Sequence, residues 1–354
     1  MRARFQFQGL GHFLEGTRVD SGLAQPLMHI FDEVRYLLAV LILALVSTTS
    51  EAHPVEKSFE DVMRTSVGKQ LGPFPLYEDG IPNSKPAPDR ETSSSQWLNM
   101  KFLYYVSRPT YTVYLPPASR ACGAAALVFP GGGYGALSWD MEGQWIAQAL
   151  QDRGVAAILV KYRLPSEETM VDKTIGPLQD AQEAILQTRR HAAAWGIDLS
   201  KIGAIGFSAG GHLASMLGTQ FEPALVANPD HVSLRPDFLI LVYPVISFAQ
   251  GRVHPDMRRA LIGDKPSPNI VQKFSSELHV SAQTPSTLLI GSSNDSAVHF
   301  DHLLDFYRAL REHNVPAQLV LFDRGEHGFF QLRRGEWLDP MWAWMRRNGY
   351  LYCQ

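Results

Sequence analysis

Residues 206–210, Gly-Phe-Ser-Ala-Gly, carry the clearest chemical signal in this sequence, because they fit the pattern G-x-S-x-G. Residues 201–206 are mostly apolar and predict a short buried strand, whereas residues 209–217 predict a helix rich in small side chains. A sharp turn between such a strand and helix projects a serine hydroxyl from the edge of a sheet. Glycines belong there because a Cβ would collide with the neighbouring backbone. The pattern predicts that Ser208 is a nucleophile, the alternative being an ordinary tight turn that happens to contain serine.

Two later residues can activate that serine, which needs a base to take its proton and a third group to orient the base. Asp295 follows a run typical of a β-strand at 286–290. His327 follows another such run at 318–322. Serine, acid and histidine then occur in the chain order that this kind of turn uses, and the carboxyl ends of parallel strands share one edge of a sheet. We therefore predict that Ser208, Asp295 and His327 form a catalytic triad; alternatively, Asp295 caps the next helix and His327 is a surface residue.

A glycine-rich loop at 130–135 directly follows the apolar run 125–129. Consecutive glycines allow backbone N–H groups to converge on one point, which is what the alkoxide of a tetrahedral intermediate requires. We predict that the N–H groups of Gly132, Gly133 and Ala209 form an oxyanion hole.

The same loop admits a second interpretation, because Gly131-x-Gly133-x-x-Ala136 fits the fingerprint of a dinucleotide-binding turn. That fingerprint needs an acid for the ribose near the end of the following strand. The strand predicted at 155–160 ends instead in a lysine, a tyrosine and Arg163. Only an NADP site that uses Arg163 for the phosphate stays open as an alternative.

Two bulky aromatic residues, Tyr134 and Trp139, come directly after these glycines. Their size predicts a shallow substrate pocket that seats an acetyl group and leaves longer acyl chains in water. We find no long apolar insertion that would serve as the lid of a lipase.

The remaining histidines predict no metal site. His299 and His302 stand three residues apart near Asp301 and Asp305, which is compatible with a metal cluster, but a solvated helix face explains the pattern better. His212 lies in the helix after the serine turn, where packing is the default explanation. No metal or organic cofactor is expected.

The composition indicates one soluble enzyme domain. The chain has 354 residues, of which 45% are hydrophobic and 19% charged, and its formal net charge is -3. That balance argues against nucleic acid or an anionic membrane as an electrostatic partner. Strand patterns alternate with helical patterns from about residue 100 onward, which predicts an α/β domain over residues 53–354 with a mostly parallel sheet and helices on both faces.

The first 52 residues predict export. Residues 36–46 form an apolar run that is short for a membrane span, and Ser50-Glu51-Ala52 after it resembles a signal-peptide cleavage site. We expect cleavage after Ala52, a secreted or periplasmic protein, and no stable membrane association afterwards; a retained membrane anchor is the alternative. Met28 is a plausible start besides Met1. Residues 53–110 are polar and proline-rich and are expected to wrap the domain before its central strands.

Cys122 and Cys353 are the cysteines of the sequence. Export permits a disulfide, but one cysteine precedes a core strand and the other lies at the end of the chain. We expect two free thiols, although the sequence does not decide between the two states.

These features together resemble the bacterial α/β-hydrolase-fold esterases of the acetylxylan esterase-like and feruloyl esterase-like (BD-FAE-type) group. The matching segments are residues 76–85, 130–134, 142–143, 161–165, 177–181, 195–198, 206–212, Asp295 and residues 325–329. The resemblance implies the α/β-hydrolase fold and serine carboxyl-ester hydrolysis, with O-acetyl groups of plant polysaccharide such as xylan as the expected substrate. Acylated carbohydrate or another small ester is the expected partner. The alternatives are a general carboxylesterase or lipase, a serine peptidase and a carbohydrate-binding protein without activity.

Overall fold

The structure is a computed structural model that describes residues 68–95, 99–249, 251 and 255–351. All of these residues belong to the unit Phe59–Gln354. The predicted signal peptide and its cleavage site lie outside the described residues.

The described chain begins with several consecutive strands, after which strands alternate with single helices or pairs of helices. The strands are β1 Lys69–Pro75, β2 Thr92–Ser94, β3 Phe102–Tyr104, β4 Thr110–Leu115, β5 Ala125–Phe129, β6 Leu137–Ser138, β7 Ala156–Lys161, β8 Ile202–Phe207, β9 Phe238–Val242, β10 Ser286–Ser292 and β11 Ala317–Phe322. The α-helices are α1 Trp145–Asp152, α2 Gly176–Trp195, α3 Ser208–Thr219, α4 Pro255–Ile262, α5 Pro268–Lys273, α6 Asp301–Glu312 and α7 Arg334–Arg347. A π-helical turn, Trp139–Gln144, leads into α1.

An eight-stranded sheet organises these elements in the order β1-β4-β7-β5-β8-β9-β10-β11. The strands from β7 to β11 in this order run parallel, and β1 and β4 are antiparallel additions at one edge. The predicted mostly parallel sheet is therefore confirmed. Because β5, β8, β9, β10 and β11 are neighbours and parallel, the loops that follow them meet at one edge of the sheet.

The central strands are apolar on both faces, as strands covered by helices on both sides must be. Every residue of β5, β8 and β9 is buried. One face packs against α2, α3 and α6, and the other packs against α1 and α7. The helical contributions to the first face include Leu178, Ile185, Leu213, Leu217, Leu303 and Phe306, and those to the second include Ile146, Leu150, Trp337 and Met341.

The described part of segment 53–110 does more than wrap the domain. Its residues form β1 at the edge of the large sheet, and β2 and β3 pair with β6 in a separate three-stranded sheet. Leu103 of β3 pairs with Leu137 of β6, so this small sheet braces the chain immediately after the glycine-rich loop.

The expectation of two free thiols is wrong for Cys122, which is disulfide-bonded. The sequence contains one other cysteine, Cys353, which lies outside the described residues. Distance along the chain misled the prediction, because the described residues after α7 lie near the amino ends of the parallel strands. Tyr350 packs with its ring centroid 4.2 Å from that of Phe238, the first residue of β9, and Cys122 shortly precedes β5 at the same edge.

Within the described residues, no helix combines the length and the apolar character needed to cross a membrane.

Candidate active site

The serine lies on a sharp turn between β8 and α3. Ser208 has φ 51°, in the left-handed region that a side chain rarely adopts. A Cβ at Gly206 would lie 2.2 Å from the carbonyl oxygen of Gly210, and a Cβ at Gly210 would lie 2.1 Å from that of Phe129. Both positions therefore require glycine. The predicted strand, turn and helix are all present, and strain is held at the residue that carries the hydroxyl.

His327 joins Ser208 and Asp295 in one hydrogen-bonded chain. Its Nε2 lies 2.9 Å from Ser208 Oγ, and its Nδ1 lies 2.8 Å from Asp295 Oδ2. An ionised carboxylate can only accept, so Nδ1 carries the proton and Nε2 is left to accept from the serine hydroxyl. The Asp295 side chain is 2% exposed and that of His327 is 25% exposed, so the acid is shielded from water while the base stays accessible.

Asp295 is fixed by its own loop. Its Oδ1 accepts from the N–H groups of Ala297 at 2.9 Å and Val298 at 2.8 Å, which leaves Oδ2 directed at the histidine. The alternative role as a helix cap is not realised, because α6 begins at Asp301 and Phe300 is its N-cap residue.

The loops that carry the acid and the histidine are tied to each other. The N–H of Glu326 donates to Asn294 Oδ1 at 3.0 Å, and its carboxylate accepts from the N–H of Ser296 at 3.2 Å and from its hydroxyl at 2.8 Å. Gly328 has φ 84°, which turns the chain sharply after His327. The residues on either side of His327 therefore hold it against the acid loop.

The glycine-rich loop lies beside the nucleophile, because Phe129 at the end of β5 pairs with Gly206. A Cβ at Gly131 would lie 2.8 Å from the Cβ of Ser208, and one at Gly132, where φ is 126°, would lie 2.3 Å from the carbonyl oxygen of Ala136. Gly131 and Gly132 therefore have no room for a side chain.

The three predicted oxyanion donors make no backbone hydrogen bond through their N–H groups to the residues that the structure describes. Within the described residues, the N–H groups of Gly132 and Gly133 donate to no protein acceptor. Ala209 is the second residue of α3, and N–H groups in the first turn of a helix have no partner within it. Their convergence on an alkoxide stays a prediction.

Of the two predicted pocket residues, Tyr134 is 2% exposed, whereas Trp139 is partly buried and packs against the core on both sides of the sheet. The Tyr134 hydroxyl donates to Nδ1 of His212 at 2.8 Å, and Nε2 of His212 donates to the carbonyl oxygen of Phe274 at 2.8 Å. Burial lowers the pKa of His212 to about 4, so this histidine is neutral. Tyr134 supports the glycine-rich loop from the interior, and a contact with substrate stays a prediction for both residues.

The residue on which an NADP site depends is engaged elsewhere. The Arg163 side chain is 1% exposed and pairs with Asp180 at 2.7 Å. In addition, the glycine-rich loop leads into β6, whereas a dinucleotide-binding turn opens a helix. The dinucleotide interpretation therefore lacks both of its requirements.

The histidines considered for a metal are also accounted for. Nδ1 of His302 is buried and accepts from the N–H groups of Ile246 and Ser247, both at 3.1 Å. Among residues 68–95, 99–249, 251 and 255–351, no group of histidine, cysteine and carboxylate side chains is arranged to hold a metal ion.

Sequence reasoning missed the roles of two residues next to the triad. Glu142, in the π-helical turn, accepts from the N–H of Gly131 at 2.7 Å and from the hydroxyl of Tyr243 at 3.0 Å. The Tyr243 ring centroid lies 4.8 Å from that of His327. For Glu142, its position as an acid soon after the glycine-rich loop could have indicated a role beside the active site. No sequence feature close to Tyr243 indicates its role.

Comparison with known proteins finds similarity to proteins that are named as ester hydrolases or as a xylanase. It is 34% identical to a solved acetyl ester-xyloside bifunctional hydrolase from Caldicellulosiruptor lactoaceticus, with a TM-score of 0.66, over 78% of this chain and 96% of that one. It is 33% identical to an acetylxylan esterase of Xylanibacter ruminicola, over 58% of this chain and 41% of that protein. It is also 33% identical to endo-1,4-β-xylanase B of Butyrivibrio fibrisolvens, over 71% of this chain and 40% of that protein.

This chain thus spans about two fifths of the length of these two curated relatives. The likeness to the solved hydrolase confirms the predicted α/β-hydrolase fold, and the relatives' names support the predicted class of carboxylic ester hydrolases. Residues 112–310, which are more than half of the chain, match the BD-FAE family. The protein belongs to the BD-FAE family.

Proposed function

We propose that this protein is a serine carboxyl-ester hydrolase that removes short acyl groups, above all O-acetyl groups, from plant polysaccharide such as xylan. The observation that carries the proposal is the hydrogen-bonded chain from Ser208 through His327 to Asp295, with distances of 2.9 Å and 2.8 Å. A serine, a base and an orienting acid in this geometry are the parts that acyl transfer requires.

The first half of the reaction forms an acyl-enzyme. His327 takes the proton of Ser208 while the serine oxygen attacks the ester carbonyl, and Asp295 stabilises the imidazolium that results. The N–H groups of Gly132, Gly133 and Ala209 stabilise the alkoxide. Collapse of this intermediate breaks the bond between the carbonyl carbon and the sugar oxygen, which takes the proton of the imidazolium and leaves as a hydroxyl group.

The second half releases the acid. His327 takes a proton from a water molecule, the water oxygen attacks the acyl carbonyl, and the same backbone N–H groups stabilise the second alkoxide. Collapse of that intermediate breaks the bond to Ser208 and returns the proton from His327 to the serine oxygen. His327 thus carries every proton that is transferred in both halves of the reaction.

Hydrolysis of p-nitrophenyl acetate by the purified protein tests the chemistry. Ser208→Ala should abolish it and leave the fold intact, because a turn that holds serine also holds alanine. Ser293→Ala is the matched control, since the Ser293 hydroxyl lies in the acid loop and donates to the Asp323 carbonyl oxygen rather than to the histidine. A folded Ser208→Ala protein with near wild-type turnover contradicts the proposal.

The acyl preference is supported by Trp139 and Tyr134 after the glycine-rich loop, whose bulk limits the depth of an acyl pocket. Each methylene left in water forfeits about 0.8 kcal/mol of binding free energy. The value of kcat/KM for p-nitrophenyl esters should therefore be highest for acetyl and fall steadily towards octanoyl. A preference for octanoyl indicates a lipase instead.

The choice of xylan is supported by the relatives named for acetylxylan and for xyloside. Release of acetate from acetylated xylan, measured beside release from acetylated cellulose oligosaccharides and from ethyl acetate, tests it. The highest kcat/KM should be on acetylated xylan. Equal rates on all three indicate a general carboxylesterase.

Export is part of the proposal, because xylan lies outside the cell. The support is the apolar run 36–46 followed by Ser50-Glu51-Ala52. Amino-terminal sequencing of the protein recovered from medium or periplasm should give a mature chain that begins at His53. A mature chain that retains residues 36–46 contradicts this part.

A further inference from the structure

Glu142 is a buried carboxylate to which the reaction above assigns no role. Glu142 is 5% exposed and lies in the π-helical turn Trp139–Gln144. Distortions of this type often occur at functional sites. Each of its oxygens accepts one hydrogen bond, Oε2 from the N–H of Gly131 at 2.7 Å and Oε1 from the hydroxyl of Tyr243 at 3.0 Å. Burial of a carboxylate is costly, and these two bonds compensate part of that cost.

The first of these bonds fixes the start of the oxyanion loop. Gly131 precedes the predicted donor Gly132, and a Cβ at Gly131 would lie 2.8 Å both from Glu142 Oε2 and from the Cβ of Ser208. Glu142 and the nucleophile therefore pack against the same small residue. A shift of the carboxylate is transmitted directly to the position of the loop over Ser208.

The second bond fixes the surface on which the catalytic base rests. Tyr243 follows β9 and has φ 35°, and its N–H donates to the Ile290 carbonyl oxygen at 2.7 Å. Its ring centroid lies 4.8 Å from that of His327 and 4.8 Å from that of Phe329. The Glu142–Tyr243 bond thus links the oxyanion loop to the histidine loop.

The charge of Glu142 also reaches the base. The pKa of Glu142 is raised, because the effect of burial exceeds the opposing effects of positive charge on His327 and of the hydrogen bonds from Gly131 and Tyr243. Burial and the nearby Glu142 raise the pKa of Tyr243 well above its ordinary range, so its hydroxyl stays a donor. The titratable groups that face the imidazole are Asp295, Glu142 and Tyr243, and Tyr162 faces Glu142 from the other side.

We propose that Glu142 is a positioning residue for ester hydrolysis. It holds Gly131 and Tyr243 in a fixed relation, and its negative charge stabilises the imidazolium that forms when His327 takes the Ser208 proton. The inference rests on the proposed function and deepens it, because it assigns a second carboxylate to the same base.

Glu142→Gln tests the charge and preserves the contacts. The amide oxygen can still accept from Gly131, and the amide NH₂ can donate to the Tyr243 hydroxyl. We expect kcat on p-nitrophenyl acetate to fall at least about tenfold, because one charge within about 12 Å at an effective dielectric constant of about 20 has an effect of that size or larger, with KM changed less than about twofold. The acid limb of the kcat/KM profile should move to lower pH, because the imidazolium loses a favourable charge.

Two further variants separate charge from packing. Tyr243→Phe keeps the ring against His327 and removes only the hydroxyl, so kcat should fall about threefold or more, since misplacement by about 1 Å can cost up to 10²-fold. Asp140→Asn is the matched control. Asp140 lies in the same turn and accepts from the N–H of Lys101 at 2.9 Å, away from the histidine, so kcat and the pH profile should stay as in the wild type.

The outcomes distinguish this inference from the function on which it rests. A wild-type protein without activity on any ester overturns the proposed function. An active wild type with a folded Glu142→Gln variant of unchanged kcat and unchanged acid limb overturns the role of Glu142 alone. Should Glu142→Gln not fold, Tyr243→Phe decides, and a wild-type kcat in that variant overturns the proposal.

Discussion

Two buried clusters of charged residues in this domain differ in when their positive charge is present. In one, Asp180 faces a permanent cation: Arg163 donates to it from Nε, Nη2 and its backbone N–H at 2.7 to 3.0 Å, and Tyr77 adds a bond at 2.8 Å. In the other, Asp295 and Glu142 lie near His327, which acquires positive charge when it takes the proton of Ser208. The first cluster holds its cation in the resting protein, whereas the second gains a cation only during the reaction.

The difference separates stability from catalysis. A carboxylate paired with arginine contributes to the folded state at all times, and loss of one partner leaves an uncompensated buried charge. Interactions that strengthen only when charge develops lower the barrier without tightening substrate binding. Substitution of the two acids should therefore affect different measurements.

The largest effect is expected for Asp295→Asn. The amide can donate to Nδ1 and thereby favour the wrong imidazole tautomer, so kcat should fall by up to about 10⁴-fold. The free energy of unfolding in urea should change little. Asp301→Asn is the control at the start of α6, and an equally large loss in that variant together with a mild effect of Asp295→Asn would show that the acid has been misassigned.

The converse is expected for Asp180→Asn. Arg163 then lies buried without an anion, and the free energy of unfolding should fall by about 3–5 kcal/mol. Below the melting temperature, kcat of the folded protein should stay within about tenfold of wild type. If Asp180→Asn left the free energy of unfolding unchanged and strongly lowered kcat, the Asp180–Arg163 pair would act in catalysis. The two clusters would then not differ in function.

A third test uses pH and a histidine that stays neutral. Burial in the Tyr134–His212–Phe274 chain lowers the His212 pKa to about 4, below the ordinary value of 6.5. Between pH 6.5 and pH 4, His212 therefore binds a proton in the unfolded chain but not in the folded chain. Its contribution to the free energy of unfolding is complete above pH 6.5 and is lost as the pH falls towards 4.

The expected loss is about 2 kcal/mol by pH 5 and about 3 kcal/mol by pH 4. Urea unfolding of wild type and His212→Gln at several pH values isolates this contribution. The stability difference between the two proteins should shrink by these amounts as the pH falls. A difference that stays constant between pH 7 and pH 4.5 contradicts a neutral His212.

The sequence was sufficient for the features that depend on neighbours along the chain. The apolar run 125–129 is β5 as predicted, and the loops that follow β8, β10 and β11 bring Ser208, Asp295 and His327 together because parallel strands end at one edge. What it missed depends on contacts between distant segments. Glu142 and Tyr243 are 101 positions apart, and their bond exists only because the π-helical turn packs across the end of β9.

The burial of Tyr134 and the disulfide of Cys122 were missed for the same reason. Tyr134 follows glycines in a loop, and loops are usually exposed. Its hydroxyl meets His212, 78 positions later, because α3 passes beneath the loop. Cys122 is disulfide-bonded, and the described residues after α7 return to the amino edge of the sheet, where Tyr350 packs on Phe238.

A smaller loss of kcat than in Asp295→Asn is expected at the oxyanion loop, where negative charge develops while His327 becomes positive. Gly132 has φ 126°, and a Cβ there would meet the Ala136 carbonyl oxygen at 2.3 Å, so Gly132→Val must displace the backbone. Loss of one well-aimed N–H donor costs on the order of 10²-fold in kcat, whereas KM should change little because the alkoxide is absent from the bound substrate. Gly135→Ala is the control, since its Cβ would lie 3.9 Å from the nearest atom. A rise in KM at constant kcat in Gly132→Val would mean that the loop binds the substrate before the reaction and does not stabilise the alkoxide. The positive charge on His327 would then have no stabilised negative charge opposite it in the transition state.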